Sequence, residues 1–188
     1  TPCPLCRRAA AHPLSEKAGS SFERCAGCGL VTRGGPDAPP EYHDYLPTAT
    51  TRLPALTRQR YETLLRTLEP FRSTGRFYDV GCGGGFLVET ARDLGWTAAG
   101  LEVSQAAVDF GRDRGLDLHC GTLEQVRPET GVHDVVTLME VVEHVPDPVG
   151  LLRAAGTLLR PGGAPYLPTP NRGSLTGRLV RADRFPIP

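Results

Sequence analysis

The sequence predicts an α/β fold built on a doubly wound parallel sheet, preceded by a small cysteine-bearing module. Three observations carry that expectation. From Arg76 onward, short apolar runs alternate with stretches of helical periodicity, the pattern of strands joined by crossover helices. At the head of this region Phe77-Tyr78-Asp79-Val80 ends in Gly81-Cys82-Gly83-Gly84-Gly85, a strand that breaks into a tight turn. Ahead of it stand two Cys-x-x-Cys pairs with 18 residues between them.

Each pair, Cys3/Cys6 and Cys25/Cys28, can present two thiolates from one turn, and two such knuckles make a tetrahedral four-thiolate set. This predicts a structural zinc ribbon over residues 1–38, with Gly27 and Gly29 easing the second turn. Four protein ligands leave no open coordination position, so the metal replaces a core that so short a segment cannot build. A ribbon that grips RNA or a carrier protein is the sharper alternative. Residues 34–50, rich in Gly, Pro and Thr, read as a linker. Tyr42, His43 and Tyr45 lie there, as inter-domain packing or, for the two tyrosines, as a lid. Pro54 to Phe71 reads as a helix that starts with proline in its first turn and carries Tyr61, Leu64, Leu65 and Leu68 on one face. Residues 39–75 thus form the linker and a packing helix, and 76–188 the α/β core.

Within the core, strand 77–80 leads to helix 86–94, and strand 97–102 to a helix that Ser104 caps, with Ala107 and Phe110 turned inward. A short strand at 117–119 and a polar loop over 121–133 precede strand 134–138. Helix 148–159 opens on Asp147 as cap and Pro148 in its first turn, and buries Leu151, Leu152, Ala155, Leu158 and Leu159. Gly162 and Gly163 are expected to end it, with a last strand at 164–169.

Composition narrows the function classes. With 21 basic and 21 acidic residues the formal net charge is zero, which speaks against a nucleic-acid partner. No apolar run approaches the ~18 residues of a membrane span, and no secretory signal pattern is present, so a cytoplasmic protein without a membrane partner is expected. Six cysteines without such a signal argue against a disulfide scaffold.

The glycine cluster lets the backbone approach a ligand, and the following helix points its free N–H groups at the same spot. Glu102 closes the next apolar run, 19 residues beyond Gly83, a spacing that suits a carboxylate accepting from ribose hydroxyls. These residues alone predict an adenosyl-cofactor site at the C-terminal edge of the sheet. Nicotinamide and flavin enzymes use similar parts. Three further segments bear on the choice: the acid of Asp79-Val80-Gly81-Cys82-Gly83-Gly84-Gly85, the run Met139-Glu140-Val141-Val142-Glu143-His144-Val145-Pro146-Asp147-Pro148, and Leu158-Leu159-Arg160-Pro161-Gly162-Gly163 followed by Thr169-Pro170-Asn171. In that order the set resembles the class I S-adenosylmethionine-dependent methyltransferases. It is most similar to the branch with an N-terminal zinc ribbon, with a core like that of the ubiquinone-biosynthesis O-methyltransferases. The resemblance is tight over residues 76–171 and looser over the cysteine pairs.

The resemblance implies a Rossmann-like fold, S-adenosylmethionine as cofactor, and methyl transfer to an oxygen or carbon of a small-molecule acceptor such as a sugar, quinone or natural-product intermediate. By position, Gly81 and Gly83 would lie against the cofactor, Asp79 would hold its amino group, Glu102 its ribose, and Val103 its adenine. Thr122 and Leu123 would border the adenine edge, although the family often has an acid where Thr122 stands. Met139 and Glu140 would form the floor beneath the sulfonium. His144 is the candidate base, because imidazole changes charge near neutral pH, and Glu143 is the second. His144 equally suits bracing the helix start. Glu140, Glu143 and His144 together suggest a divalent-ion set.

Members of that class continue for two strands beyond the fifth, which this sequence lacks. The expected sheet order is therefore 3-2-1-4-5, with Pro165 and Pro168 tolerated because the fifth strand is an edge, open to a second copy or a completing chain. The rival readings are an RNA methyltransferase that reads substrate with its ribbon, and a non-catalytic cofactor-binding fragment or partner subunit. A nicotinamide oxidoreductase ranks behind these.

Overall fold

The structure, a computed structural model, describes residues 2–9, 11–17, 20–34 and 52–169. The expected linker aromatics Tyr42, His43 and Tyr45 and the basic stretch beyond Pro170 lie outside the described residues. Among the described residues no helix is long and apolar enough to cross a membrane.

The N-terminal part is a three-stranded antiparallel sheet, β1 (Ala11–Lys17), β2 (Ser20–Cys25) and β3 (Val31–Gly34), in that order. Next come α1 (Ala55–Leu68) and a 3₁₀ turn, Glu69–Phe71. The core then runs β4 (Arg76–Val80), α2 (Phe86–Asp93), β5 (Thr97–Glu102), α3 (Gln105–Arg112), β6 (Asp117–Cys120), α4 (Leu123–Val126), β7 (His133–Thr137), α5 (Pro148–Leu158) and β8 (Leu159–Tyr166). The strand order β6-β5-β4-β7-β8 is the expected 3-2-1-4-5, and every pair is parallel.

Alternating side chains send each strand into two layers. Phe77 and Val135 face α1 and α2, packing with Leu65, Leu68, Leu87, Ala91 and Trp96. Val88, Val108, Leu116 and Leu118 extend that layer beneath α3. On the opposite face Tyr78, Val80, Leu101, Val136 and Leu138 pack with Leu123 of α4 and with Ala155 and Leu158 of α5. Burial on both faces is what a parallel sheet requires.

Three expectations are corrected. The 121–133 segment is not all loop: Thr122 and Gln125 form a capping box that starts the one-turn helix α4. Gly162 and Gly163 do not end α5, which stops at Leu158; they lie inside β8. There β8 bulges, with Leu159 opposite His133 but Ala164 opposite Val135. A Cβ on Gly163 would stand 2.9 Å from the His133 carbonyl oxygen, so glycine serves close strand approach, not a helix end. Finally Leu151, Leu152 and Leu159 are only half-buried. Pro161 and Pro165 lie in β8, the outer strand of the sheet among the described residues, and Pro168 falls just beyond it.

The start of β7 carries a structural device that the sequence did not reveal. Asp134 is fully buried, and one carboxylate oxygen accepts from the backbone N–H groups of Ser73, Thr74 and Gly75 at 2.9, 2.8 and 2.6 Å. The other oxygen meets Arg160 Nε at 2.5 Å. Burial alone would raise this carboxyl, but Arg160 and the three donors outweigh it and hold it down at about 2.

Candidate functional site

The glycine turn sits at the C-terminal ends of β4 and β5. Gly81 and Cys82 both donate backbone N–H bonds to the Leu101 carbonyl, at 2.7 and 3.0 Å, which ties the turn to β5. Gly81 has φ +75°, and a Cβ there would lie 2.3 Å from Val141 Cγ2, so the loop after β7 closes directly onto it. Gly83, at φ +52°, has nothing within 4 Å of its virtual Cβ and leaves one side of the turn open to a ligand.

Glu102, at the end of β5, reaches across this opening. One oxygen accepts from Gly83 N–H at 2.9 Å, and the other from the N–H groups of Val103 and Ser104 at 2.8 and 3.0 Å. Three backbone donors fix the carboxylate beside the open face of Gly83 with lone pairs to spare. Ser104 caps α3, accepting from Ala107 N–H as expected.

Asp79, 2% exposed at the end of β4, accepts from the Thr137 hydroxyl at 2.6 Å. Burial pushes its carboxyl up to about 7; the Thr137 hydroxyl opposes the rise and the Glu102 charge adds to it. Tyr61 of α1 belongs to this neighbourhood too. Its phenol is raised chiefly by burial, then by the charges of Asp79 and Glu140. Its spacing with Leu64, Leu65 and Leu68 is that of a core stripe, so no sequence signal separated it from packing. Thr137 and Val141 were missed for the same reason.

Met139 is half-buried against the α1–α2 layer, and the exposed Glu140 after it has a left-handed backbone at φ +55°, a strained conformation for this residue. Glu143 is exposed and His144 half-buried, both in the 3₁₀ turn Val142–His144 that precedes the Asp147-capped start of α5. Among the described residues the only metal-capable cluster is the four cysteines, so Glu140, Glu143 and His144 do not converge on an ion. At the other rim, Thr122 is engaged in its capping box and the Leu123 side chain is core. What Leu123 offers a ligand is the N–H of a first helical residue, which has no intrahelical acceptor.

The second cluster is in the N-terminal sheet. The ligand atoms of Cys3, Cys6, Cys25 and Cys28 lie within 4.8 Å of one another, and no disulfide joins them. Cys3 and Cys28 sulfurs are 3.6 Å apart, Cys6 and Cys25 3.4 Å. The two knuckles match: Arg7 N–H donates to the Cys3 carbonyl and Gly29 N–H to that of Cys25, while Cys3 and Cys25 donate to Arg8 and Leu30. The residue after each knuckle is left-handed, Arg7 at +62° and Gly29 at +76°. Backbone N–H groups of Cys28 and Gly27 draw the Cys25 thiol down to about 6. Zinc–sulfur bonds of about 2.3 Å in a tetrahedron place sulfurs roughly 3.8 Å apart, so these residues fit a four-thiolate ion.

The fold and the glycine–acid edge define a nucleotide-type cofactor-binding α/β domain. Residues 53–186 match the family described as methyltransferase domain, and the chain belongs to that family. Among curated relatives it is 32% identical over 136 residues to a ubiquinone biosynthesis O-methyltransferase of Parvibaculum lavamentivorans, covering 69% of this chain and 53% of the relative. It is 39% identical over 127 residues to the protein of that name from Xanthomonas axonopodis pv. citri, covering 64% and 52%. The chain thus spans about half the length of the curated relatives it matches. Solved structures agree on the fold. A S-adenosylmethionine-dependent methyltransferase of Thermotoga maritima superposes with TM-score 0.52 at 24% identity, over 66% of this chain and 59% of its own. The plantazolicin methyltransferase, crystallised with S-adenosylhomocysteine, gives TM-score 0.57 at 19% identity, over 66% and 51%.

Proposed function

We propose that the chain is an S-adenosylmethionine-dependent methyltransferase domain acting on a small-molecule acceptor, with a hydroxyl oxygen as the atom methylated. The observation that carries this reading is the Glu102 carboxylate fixed beside the open face of Gly83, on a chain of the methyltransferase domain family. The relatives' name favours an oxygen on a quinone-type ring among the acceptors the sequence allowed.

S-adenosylmethionine supplies a sulfonium methyl already activated for in-line displacement. The protein's task is then to orient the two partners and manage one proton. In this reading Glu102 accepts from the ribose hydroxyls and Val103 packs on the adenine, with Thr122 and Leu123 at its edge. Gly81 and Gly83 admit the cofactor's backbone-close portion. Asp79, in its ionised form, holds the amino group. Met139 and Glu140 line the floor under the reacting centre. His144 takes the acceptor proton, with Glu143 as the second candidate. Residues 1–38 form a zinc ribbon on Cys3, Cys6, Cys25 and Cys28, where the ion crosslinks two knuckles and does no chemistry.

Calorimetric titration of the metal-loaded chain with S-adenosylmethionine, with NAD as comparison, tests the cofactor. Binding of the first alone is expected; binding of NAD alone would overturn the reading. Transfer of labelled methyl to a panel of catechols and hydroxyquinones tests the acceptor. His144→Ala should spare cofactor binding and lower turnover. A variant that instead chiefly loses thermal stability would give His144 the bracing role.

A further inference from the structure

The glycine turn is also gripped by a residue from beyond the end of α3. Three consecutive glycines, Gly83-Gly84-Gly85, have no Cβ to limit their backbone, and glycine loses more freedom on fixing than any other residue. Gly83 N–H is fixed by Glu102, and Gly85 N–H by the Cys82 carbonyl at 2.9 Å. Gly84 lies one residue before Gly85, the N-cap of α2, so its carbonyl is outside the helix ladder and needs a donor from elsewhere. Arg114 supplies one: Nη2 donates to the Gly84 carbonyl at 2.5 Å, from 30 residues away. The guanidinium is itself tightly placed. Nη1 donates to the Phe110 carbonyl at 3.0 Å, and Nε faces Glu89 Oε1 of α2 at 3.6 Å. Its carbon stands 4.1 Å from the centre of the Phe110 ring and 4.8 Å from that of Phe86, and the two rings meet edge to face. These rings shield the cation and orient its plane. Gly111 lets α3 come this near: a Cβ there would lie 3.2 Å from the Gly84 carbonyl oxygen. The Glu89 pair and the two rings already join α2 to α3; the Gly84 bond is additional, and it ends on the turn.

We propose that Arg114 is a positioning residue that holds the Gly83–Gly85 backbone in its ligand-ready form, with Gly83 open beside Glu102. Its link to cofactor affinity rests on the methyltransferase reading above; its hold on the turn does not. Without the Arg114 bond the Gly84 peptide is free to rotate. A site that is formed only part of the time binds its ligand more weakly by that fraction. Arg114 thus acts on the cofactor through the turn: it removes backbone freedom that the ligand would otherwise have to remove.

Amide hydrogen exchange, followed by NMR on the ligand-free full chain, tests the hold on the turn. In Arg114→Met the Gly83 and Gly85 amides should exchange about tenfold faster than in wild type or more, while those of Val135 and Val136 in β7 stay within about twofold. Arg114→Lys keeps a charged donor and should recover part of the protection, which a role in packing alone would not give. Calorimetry with S-adenosylhomocysteine should show both variants weaker than wild type, Arg114→Met by about fivefold to tenfold. Turn amides that exchange at the wild-type rate, acceleration spread equally over β7, or a lysine variant no better than methionine would each overturn the proposal, as would wild-type affinity in Arg114→Met. A wild type that binds no S-adenosylhomocysteine yet shows the exchange pattern would refute the cofactor reading and leave the hold of Arg114 on the turn supported. Should Arg114→Met fail to fold, Phe110→Leu removes the nearer ring, keeps the guanidinium and takes its place, with the same selective acceleration expected.

Discussion

Asp79→Asn should make the ligand-free protein more stable at alkaline pH while weakening its cofactor site. The Asp79 carboxyl is buried against Thr137 and lifted from an ordinary 3.8 to about 7. A folded-state value above the unfolded one means the native protein binds the proton more tightly. The resulting stability is fully present below pH ~3.8 and is lost as pH rises through about 7. The shift corresponds to roughly 4 kcal/mol, of which somewhat more than half falls between pH 5 and pH 8. Asparagine keeps the shape and accepts the Thr137 hydroxyl bond without ionising. Urea denaturation of wild type and Asp79→Asn at pH 5 and pH 8 should therefore show the variant gaining roughly 2–3 kcal/mol on wild type between the two conditions. His133, whose imidazole burial pushes down, changes stability in the opposite sense but is common to both proteins and cancels in the difference. If Asp79 meets a cofactor ammonium, wild-type affinity for S-adenosylmethionine should also fall as pH drops below about 7, and this dependence should vanish in the variant. A stability difference that is the same at both pH values would refute the account of Asp79 as a carboxyl kept protonated by burial.

Glu102→Ala should weaken S-adenosylmethionine binding by roughly 1.5–3 kcal/mol, read by calorimetry, because it removes a charge-assisted acceptor; a loss under threefold would deny it the ribose role. Asp134→Ala should cost about 3–5 kcal/mol in urea denaturation, since it strands Arg160 and three backbone donors. In wild type the Asp134 contribution is present above pH ~3.8 and is lost as pH falls through about 2, so acid unfolding should set in there, monitored by circular dichroism. Arg7→Gly should stabilise the first knuckle by about 0.5–1 kcal/mol and slow metal loss to a chelator, because only the second knuckle has glycine at its left-handed position. Slower loss from wild type than from Arg7→Gly would show that the arginine side chain contributes more than its backbone costs.

The parts of the fold legible in the sequence were those set by local chemistry. Apolar runs broken by glycine located β4 and β5, Ser104 and Asp147 marked the starts of α3 and α5, and the paired Cys-x-x-Cys turns converged as expected. The end of α5 was not legible, because glycines after a helix usually cap it. Here Gly163 is required by the carbonyls of β7, which are remote in sequence. Helix α4 hid in a polar segment because a four-residue helix has no periodicity to detect; its Thr122/Gln125 capping box was the only signal.

The same distinction runs through the site. Glu102 could be found from spacing because a carboxylate set beside the glycine turn ends the strand that follows it, a constraint within one β–turn–α–β unit. What governs Asp79 comes from elsewhere: Thr137 lies 58 residues on and supplies its bond, and Tyr61 arrives from a helix before the sheet begins. The environment of Asp79 is therefore a property of tertiary packing, although its presence at the strand end is local. Asp134 makes the point in reverse. In the sequence it is one acid in an ordinary strand, yet it fastens the loop before β4 to β7 and β8 and so holds the strand ends in register. An acid that holds its proton more tightly at one end of the strands and an acid kept ionised at the other are the same residue type under opposite balances of burial against hydrogen-bond donors. One balance costs stability as pH rises, and the other secures the frame of the sheet.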